Sequence, residues 1–264
     1  METATPTYRE LFDLRDRRAV VVGGAGGIGQ VCVGALSAWG ASVVCADINL
    51  ESAKGVAERM RADGQDVSAC LIDIRSGESV RQICADLGSA DILVVTPGIN
   101  VRRRLLDLDD ASIESVVGLN LVGVARTIRE FARSMTARGA GSIIVFSSIR
   151  STVVESGQSI YAATKAGIVM LAKGAAAELG GANVRVNAIS PGVVETALTR
   201  PIRENAPWRD AYATKTALRR WARPTELAGA VVFLASDASS YVTGTELFVD
   251  GGWTAIDGRF DPPV

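Results

Sequence analysis

Histidine is absent from the 264 residues. That absence excludes every mechanism built on an imidazole: a Ser-His-Asp hydrolase, a Cys-His protease, or zinc or iron held through histidine. A general base here has to be another side chain, and no metal site is expected. An excess of one charge is lacking as well, with 28 Lys and Arg against 29 Asp and Glu. A nucleic-acid partner would require a basic face, so none is expected. The four cysteines, Cys32, Cys45, Cys70 and Cys84, form no C-x-x-C pair and stand in apolar stretches. This is the pattern of reduced, interior thiols and of a cytoplasmic protein. No run of 18 consecutive apolar residues occurs and residues 1–18 are polar, so the sequence predicts neither a membrane span nor a signal peptide.

What is present is an alternation. Short apolar runs at 19–22, 42–46, 67–72, 91–95, 142–146, 185–189 and 246–249 are separated by segments of helical period at 27–39, 50–62, 76–87, 109–138, 158–180 and 224–235. Repeated βαβ units have this form, and their crossovers put helices on both faces of a parallel sheet. No linker or repeat divides the chain, so one domain over 1–264 is expected. Two segments break the rhythm. Residues 193–222, with Pro201, Pro207, Trp208, Tyr212 and Trp221, are too long for a simple connection and have the character of a substrate lid. Residues 254–264 match no regular element.

Residues 23–29, Gly-Gly-Ala-Gly-Gly-Ile-Gly, follow the first strand and open a helix. Glycine allows the backbone to approach a pyrophosphate, and the helix N-terminus offers unpaired N–H groups to it; the same residues would also make a tight strand-to-helix turn. Asp47 lies 18 residues beyond Gly29, near the offset at which a carboxylate receives ribose hydroxyls. It would repel a 2′-phosphate, and residues 23–30 hold no Lys or Arg to offset it, which favours NAD over NADP. Asp47 could also cap the next helix. Tyr161 and Lys165 stand four residues apart in a helical stretch, hence on one face. An unperturbed phenol titrates near pH ~10, so a neighbouring cation is the available means of making it a useful base.

In this company the chain resembles the short-chain dehydrogenase/reductase family over nearly its whole length. The glycine loop is followed by Asp73-Ile74, Asn120-Leu121-Val122-Gly123, Ser147-Ser148, Tyr161, Lys165, Pro191-Gly192-Val193-Val194-Glu195-Thr196 and 241–252, ending in Asp250-Gly251-Gly252. The resemblance implies an α/β fold: a Rossmann-type doubly wound parallel sheet of about seven strands, order 3-2-1-4-5-6-7, in one three-layer αβα domain. It implies a catalytic tetrad of Asn120, Ser148, Tyr161 and Lys165. Tyr161 would exchange a proton with the substrate oxygen, and Lys165 would lower its pKa and hold the nicotinamide ribose. Ser148, thirteen residues before Tyr161, would hydrogen-bond the substrate oxygen, and Asn120 would anchor a water on the proton path. It further implies cofactor contacts by Gly23, Gly27, Ile28, Gly29, Asp47, Ile48, Asp73, Ile74, Gly98, Pro191, Gly192, Val194 and Thr196, besides Tyr161 and Lys165.

The chain departs from the family at Val22, where Thr is usual, and at Val95-Thr96-Pro97-Gly98, where Asn-Asn-Ala-Gly is usual. Altered bracing of the cofactor loops is expected there, with Thr96 supplying part of the missing polar role. Residues 98–104, Gly-Ile-Asn-Val-Arg-Arg-Arg, are similar to a segment of gluconate 5-dehydrogenases and 2-deoxy-gluconate 3-dehydrogenases. Arg102, Arg150 and Ser148 are therefore candidate substrate contacts, with Glu155 beside them, and they suit a polyol, sugar or sugar acid. Arg102 could equally be one of three solvated charges, and an aromatic lid could cover a steroid-like or acyl substrate. The expected function is an NAD-dependent secondary-alcohol/ketone oxidoreductase acting on a small molecule. A non-catalytic NAD-binding sensor and an epimerase or dehydratase are the competing readings. By the same resemblance, helices 109–138 and 158–180 would join subunits into a homotetramer or a homodimer.

Overall fold

Strands such as Ala19-Val20-Val21-Val22 are too apolar to leave either face in water, and in the computed structural model, which describes residues 7–257, both faces are covered. β1 (Arg18–Val22), β2 (Ser42–Asp47), β3 (Val67–Leu71), β4 (Ile92–Val95), β5 (Gly141–Phe146), β6 (Val184–Pro191) and β7 (Glu246–Val249) form one parallel sheet. Its order is β3-β2-β1-β4-β5-β6-β7, the order that the family resemblance implies. The helices are α1 (Gly27–Ala38), α2 (Leu50–Ala62), α3 (Gly77–Leu87), α4 (Asp110–Val117) and α5 (Val124–Arg138). They continue as α6 (Ser159–Leu179), α7 (Arg200–Arg203), α8 (Ala206–Lys215) and α9 (Ala228–Ala235).

Two core layers sandwich the sheet. On one face Val20, Val22, Leu93 and Val145 meet Val80 of α3, Phe131 and Met135 of α5, and Ile168 of α6. On the other, Val21, Val43 and Ile144 meet Val33 and Leu36 of α1, Val56 of α2 and Val231 and Leu234 of α9. The result is a single three-layer domain. Register aligns Val22 with Ala46 on one side and with Val95 on the other, so the loops after β1, β2 and β4 leave the sheet at one edge. That edge, where strand order reverses between β1 and β4, is where open α/β sheets bind ligands.

Two local features differ from the sequence expectations, the helix over 109–138 and segment 193–222. The helix expected over 109–138 is broken by a π-turn, Gly118–Gly123, between α4 and α5. Its apolar spacing is that of an α-helix, so pattern alone could not reveal it; such wide turns accompany functional sites. Segment 193–222 is not a bare loop but contains α7 and α8, and its ends are tied together where Val194 bridges Ala222. The buried residues Ile202, Tyr212 and Trp221 give it a small core of its own with Val193 and Trp253. Of the tail, residues 254–257 follow a turn held by the Asp250 carboxylate, which accepts from the main chains of Gly252 and Thr254, and 258–264 lie outside the described residues.

One helical stretch, Asp110–Arg138, is long and apolar enough to cross a membrane by length and composition. Here Val124, Ile128, Phe131 and Met135 are buried against the sheet, while exposed Arg129 and Arg133 pair with Glu130 on the outer side. It is a sheet-covering amphipathic helix.

Candidate active site

The loop after β1 enters α1 through Gly23, whose φ of +76° suits glycine alone. A side chain at Gly29 would begin 1.9 Å from the Gly23 carbonyl oxygen, so the turn closes only with hydrogen there. The Gly26 N-cap brings no side chain to the first turn of α1, which leaves its N–H groups open. The loop is held from three sides. The Ala46 carbonyl accepts from the N–H groups of Gly23 and Gly24 at 2.8 and 3.1 Å. Asp47 accepts from Ala25 N through Oδ2 and from Asn49 N through Oδ1, both at 3.0 Å. The cap of α2 is therefore Asn49 rather than Asp47, because the Asn49 side chain receives Ser52 N. On the third side, the Thr96 hydroxyl donates across to the carbonyls of Val22 and Gly23, at 2.9 and 3.1 Å. This restores the tie that Val22 cannot make.

A groove of about 450 Å³ runs along this edge, lined by Gly23, Gly27, Ile28, Gly29, Asp47, exposed Ile48, Asp73, Ile74, Gly98 and Thr196. Open N–H groups at a helix start, a side-chain-free loop and a carboxylate at the far end match a dinucleotide: pyrophosphate at the first, ribose at the last. The groove meets a second cavity of about 300 Å³ at Ile28, Thr196 and Leu198. Pro191, Gly192 and Val194 line this cavity rather than the groove, together with Ser148 and Tyr161.

Ser148 stands just past β5, and Tyr161 and Lys165 lie on the first turns of α6. Ser147 anchors that junction by donating to the Lys165 carbonyl at 2.8 Å. Fully buried Asn120 receives the N–H of Ile99 and donates to its carbonyl, both at 2.9 Å, and donates to Thr164 at 3.2 Å. Its amide is thus engaged in holding the loop after β4 to α6. The Lys165 ammonium donates to the Phe146 carbonyl at 2.8 Å and lies 3.2 Å from where a side chain at Gly98 would start, 5.6 Å from the Tyr161 ring centre.

The pKa balance differs from the sequence expectation. Burial pushes the Tyr161 phenol up, against the lowering by a Ser148 hydrogen bond and by the charges of Arg150 and Arg102. Lys165 is pulled down to about 8 by burial, which weakens its own charge. The cations acting on the phenol include two guanidiniums that the Tyr-Lys spacing does not reveal.

Arg102, Arg150, Asn100, Gln158 and Tyr212 make the polar wall of the cavity. Arg150 is buried and pairs with Glu155 at 2.8 Å, and Arg102 reaches the same carboxylate at 3.5 Å while lying over the Trp208 ring. Arg102 is thus not a freely solvated charge. Gln158 and Tyr212 also donate to Glu155, and Gln158 accepts from Asn100 at 2.9 Å. Sequence reasoning missed Asn100 and Gln158, and saw Tyr212 only as an aromatic. Gln158 carried a signal, a polar residue just before an apolar helix that bears Tyr161, but its partner is distant in sequence.

A family model described as enoyl-(acyl carrier protein) reductase matches residues 23–254. The chain is 38% identical to cis-4-hydroxycyclohexanecarboxylate dehydrogenase of Sinomonas cyclohexanicum, over 91% of this chain and 98% of that one. It is 36% identical to galactitol 2-dehydrogenase (L-tagatose-forming) of Cereibacter sphaeroides, over 94% and 98%. The solved structure of a gluconate 5-dehydrogenase from Burkholderia cenocepacia J2315, in complex with NADP and tartrate, superposes with a TM-score of 0.91 at 36% identity, covering 94% of this chain and 98% of that one. The sheet order, the nucleotide groove, the Ser-Tyr-Lys cluster and these matches agree: the chain belongs to the short-chain dehydrogenase/reductase family and is a secondary-alcohol/ketone oxidoreductase.

Proposed function

We propose that the protein is an NAD-dependent dehydrogenase of a polyol or sugar acid, with Tyr161 as general acid/base. The observation that carries this reading is the meeting of groove and cavity: Tyr161 and Ser148 line a pocket that joins the nucleotide groove at Thr196. A bound nicotinamide supplies the hydride acceptor or donor and, when oxidised, a positive charge. In the oxidation direction Tyr161 Oη takes the substrate hydroxyl proton, and in reduction it returns it. Ser148 donates to the same substrate oxygen and favours the alkoxide-like charge there. Lys165, fixed through Phe146, holds ribose hydroxyls and adds its charge beneath the phenol. Asn120 keeps Ile99 and Thr164 in register so that Lys165 stays in reach of both. Gly27, Gly29 and the start of α1 take the pyrophosphate, Asp73 and Ile74 the adenine side, and Gly192, Val194 and Thr196 the carboxamide.

NAD rather than NADP is supported by Asp47, an acceptor already fixed by two N–H groups in the groove, which welcomes ribose hydroxyls and repels a phosphate. The related gluconate 5-dehydrogenase is a complex with NADP, so the reading of NAD for this chain rests on Asp47. A polar substrate is supported by the wall of Arg102 and Arg150, whose guanidiniums lie over Trp208 and Trp253 and so turn the aromatic lid to polar use. The exposed apolar Val122 and Met170, on the helices of one face, support a helix-to-helix contact between subunits in a homotetramer or a homodimer. Four unpaired thiols support a cytoplasmic location.

The test is turnover of galactitol, gluconate and related compounds by the wild type and by Tyr161→Phe. The variant is expected to lose kcat by about a thousandfold while binding NAD as the wild type does. Activity that survives the loss of the phenolic oxygen would sink the assignment, and NAD binding without any turnover by the wild type would favour a sensor.

A further inference from the structure

The sequence singled out Glu155 as a pocket residue, yet Glu155 does not line the cavity; its partners do. On Glu155 Oε2 four donors converge: Arg150 Nη2 at 2.8 Å, Gln158 Nε2, Tyr212 Oη, and Arg102 Nη1 at 3.5 Å. They come from four separate places: the turn after Ser148, the start of α6, α8 and the loop after β4. One carboxylate oxygen thus joins the two sides of the cavity mouth to its floor.

The charges do not balance. Two guanidiniums share one carboxylate, and Arg150 is only 7% exposed. Among the described residues no group accepts a hydrogen bond from Arg150 Nε or Nη1. Arg150 spends Nη2 on Glu155 and on Tyr212 Oη, at 2.8 and 3.3 Å, which leaves the rest of its fork available to an incoming anion. With Glu155 ionised, the wall carries one uncompensated positive charge, which one carboxylate neutralises. Removing the Glu155 charge would leave two.

We propose that Glu155 is the positioning residue that sets the charge of the substrate wall, tuning it to a polyhydroxy acid with a single carboxylate while keeping neutral polyols acceptable. This rests on the reading of the cavity as the site of a polyol or sugar acid. Glu155 touches no substrate; it acts by orienting Arg150, Gln158 and Tyr212 and by cancelling one of the two guanidinium charges.

The experiment measures kcat/KM for D-gluconate and for galactitol, with saturating NAD, in the wild type, Glu155→Gln and Glu155→Asp. Glu155→Gln keeps an oxygen for the donors but loses the charge. It is expected to raise the gluconate-to-galactitol ratio about tenfold, and the gain should shrink as salt is added. Glu155→Asp keeps the charge and disturbs the contacts, so both kcat/KM values fall and the ratio stays near that of the wild type. Should Glu155→Gln not fold, Arg102→Gln with Glu155 intact leaves no net positive charge on the wall, and its gluconate-to-galactitol ratio should fall about tenfold below the wild type. A merely structural role would lower both substrates together in every variant. An unchanged ratio in Glu155→Gln, or in Arg102→Gln where Glu155→Gln does not fold, overturns the role of Glu155 alone. A wild type that turns over neither compound nor any other polyol or sugar acid overturns the reading of the cavity, and the role of Glu155 with it.

Discussion

On the proposed reading Asp47 has two tasks, of which its position in the chain shows only one. The offset from the glycine loop marks it as the acceptor for ribose, but its Oδ2 also receives Ala25 N and so helps to shape the phosphate loop. Asp47→Ala should therefore weaken both functions: KM for NAD rises about tenfold or more, and the ratio of kcat/KM for NAD to that for NADP falls. Asp47→Asn keeps an acceptor for Ala25 and should separate loop shape from charge, losing selectivity with a smaller rise in KM. Steady-state kinetics with both cofactors decide this, and a wild type that prefers NADP would refute the role of the carboxylate. At this scale the sequence was informative wherever residues act at a fixed spacing, as Tyr161 and Lys165 do. It expected only the lowering of the phenol by Lys165, because burial and the charges of Arg102 and Arg150 reach the phenol only through the fold.

Among the elements, the strand ends and the π-turn decide the site. Replacement of the usual asparagines by Val95-Thr96 was visible in the sequence, but the receiving carbonyls were not, since Val22 and Gly23 lie over 70 residues away. Thr96 joins the phosphate loop to the segment that carries Gly98 and Ile99, and hence to Lys165 and Asn120. Thr96→Val should raise the Kd for NAD about five- to tenfold, the loss of one hydroxyl hydrogen bond, and Thr96→Ser should stay within about twofold of the wild type. Fluorescence titration of the cofactor reads this directly. Equal affinity in Thr96→Val would mean that the main-chain bond from Thr96 N to Val22 O holds the loops unaided.

For the molecule as a whole, the four thiols make stability depend on alkaline pH. Burial raises all of them from 9.0: Cys70 to about 11, Cys45 and Cys84 to about 12, and Cys32 further. The folded chain then keeps protons that the unfolded chain gives up, so their contribution is full below pH 9.0 and is lost as pH rises toward the folded values. Lys165, lowered to about 8 from 10.5, acts in the opposite sense over that interval, while the phenols of Tyr161 and Tyr212, raised from 10.0 by burial, add to the decline at its upper end. The melting temperature, followed by circular dichroism, should therefore fall by about 5 °C or more between pH 8.5 and 10.5. Cys32→Ala should make the decline shallower, and a melting temperature flat over this range would argue that these thiols are not buried.

Alternation of apolar runs and helical segments was enough to specify a parallel α/β sheet, because hydrophobic period and crossover length are local properties and handedness leaves few arrangements. The glycine loop and the Tyr161–Lys165 pair were legible for the same reason, since each acts within a turn or two of chain; Asp47 was legible only as an offset from the loop, and it reaches Ala25 across 22 residues. The wall of Arg102, Arg150, Gln158 and Tyr212 around Glu155, the tie from Thr96 and the π-turn at Asn120 were decided only in three dimensions. Hydrogen bonding and desolvation depend on distance in space, and parallel strands bring together residues that the chain keeps far apart.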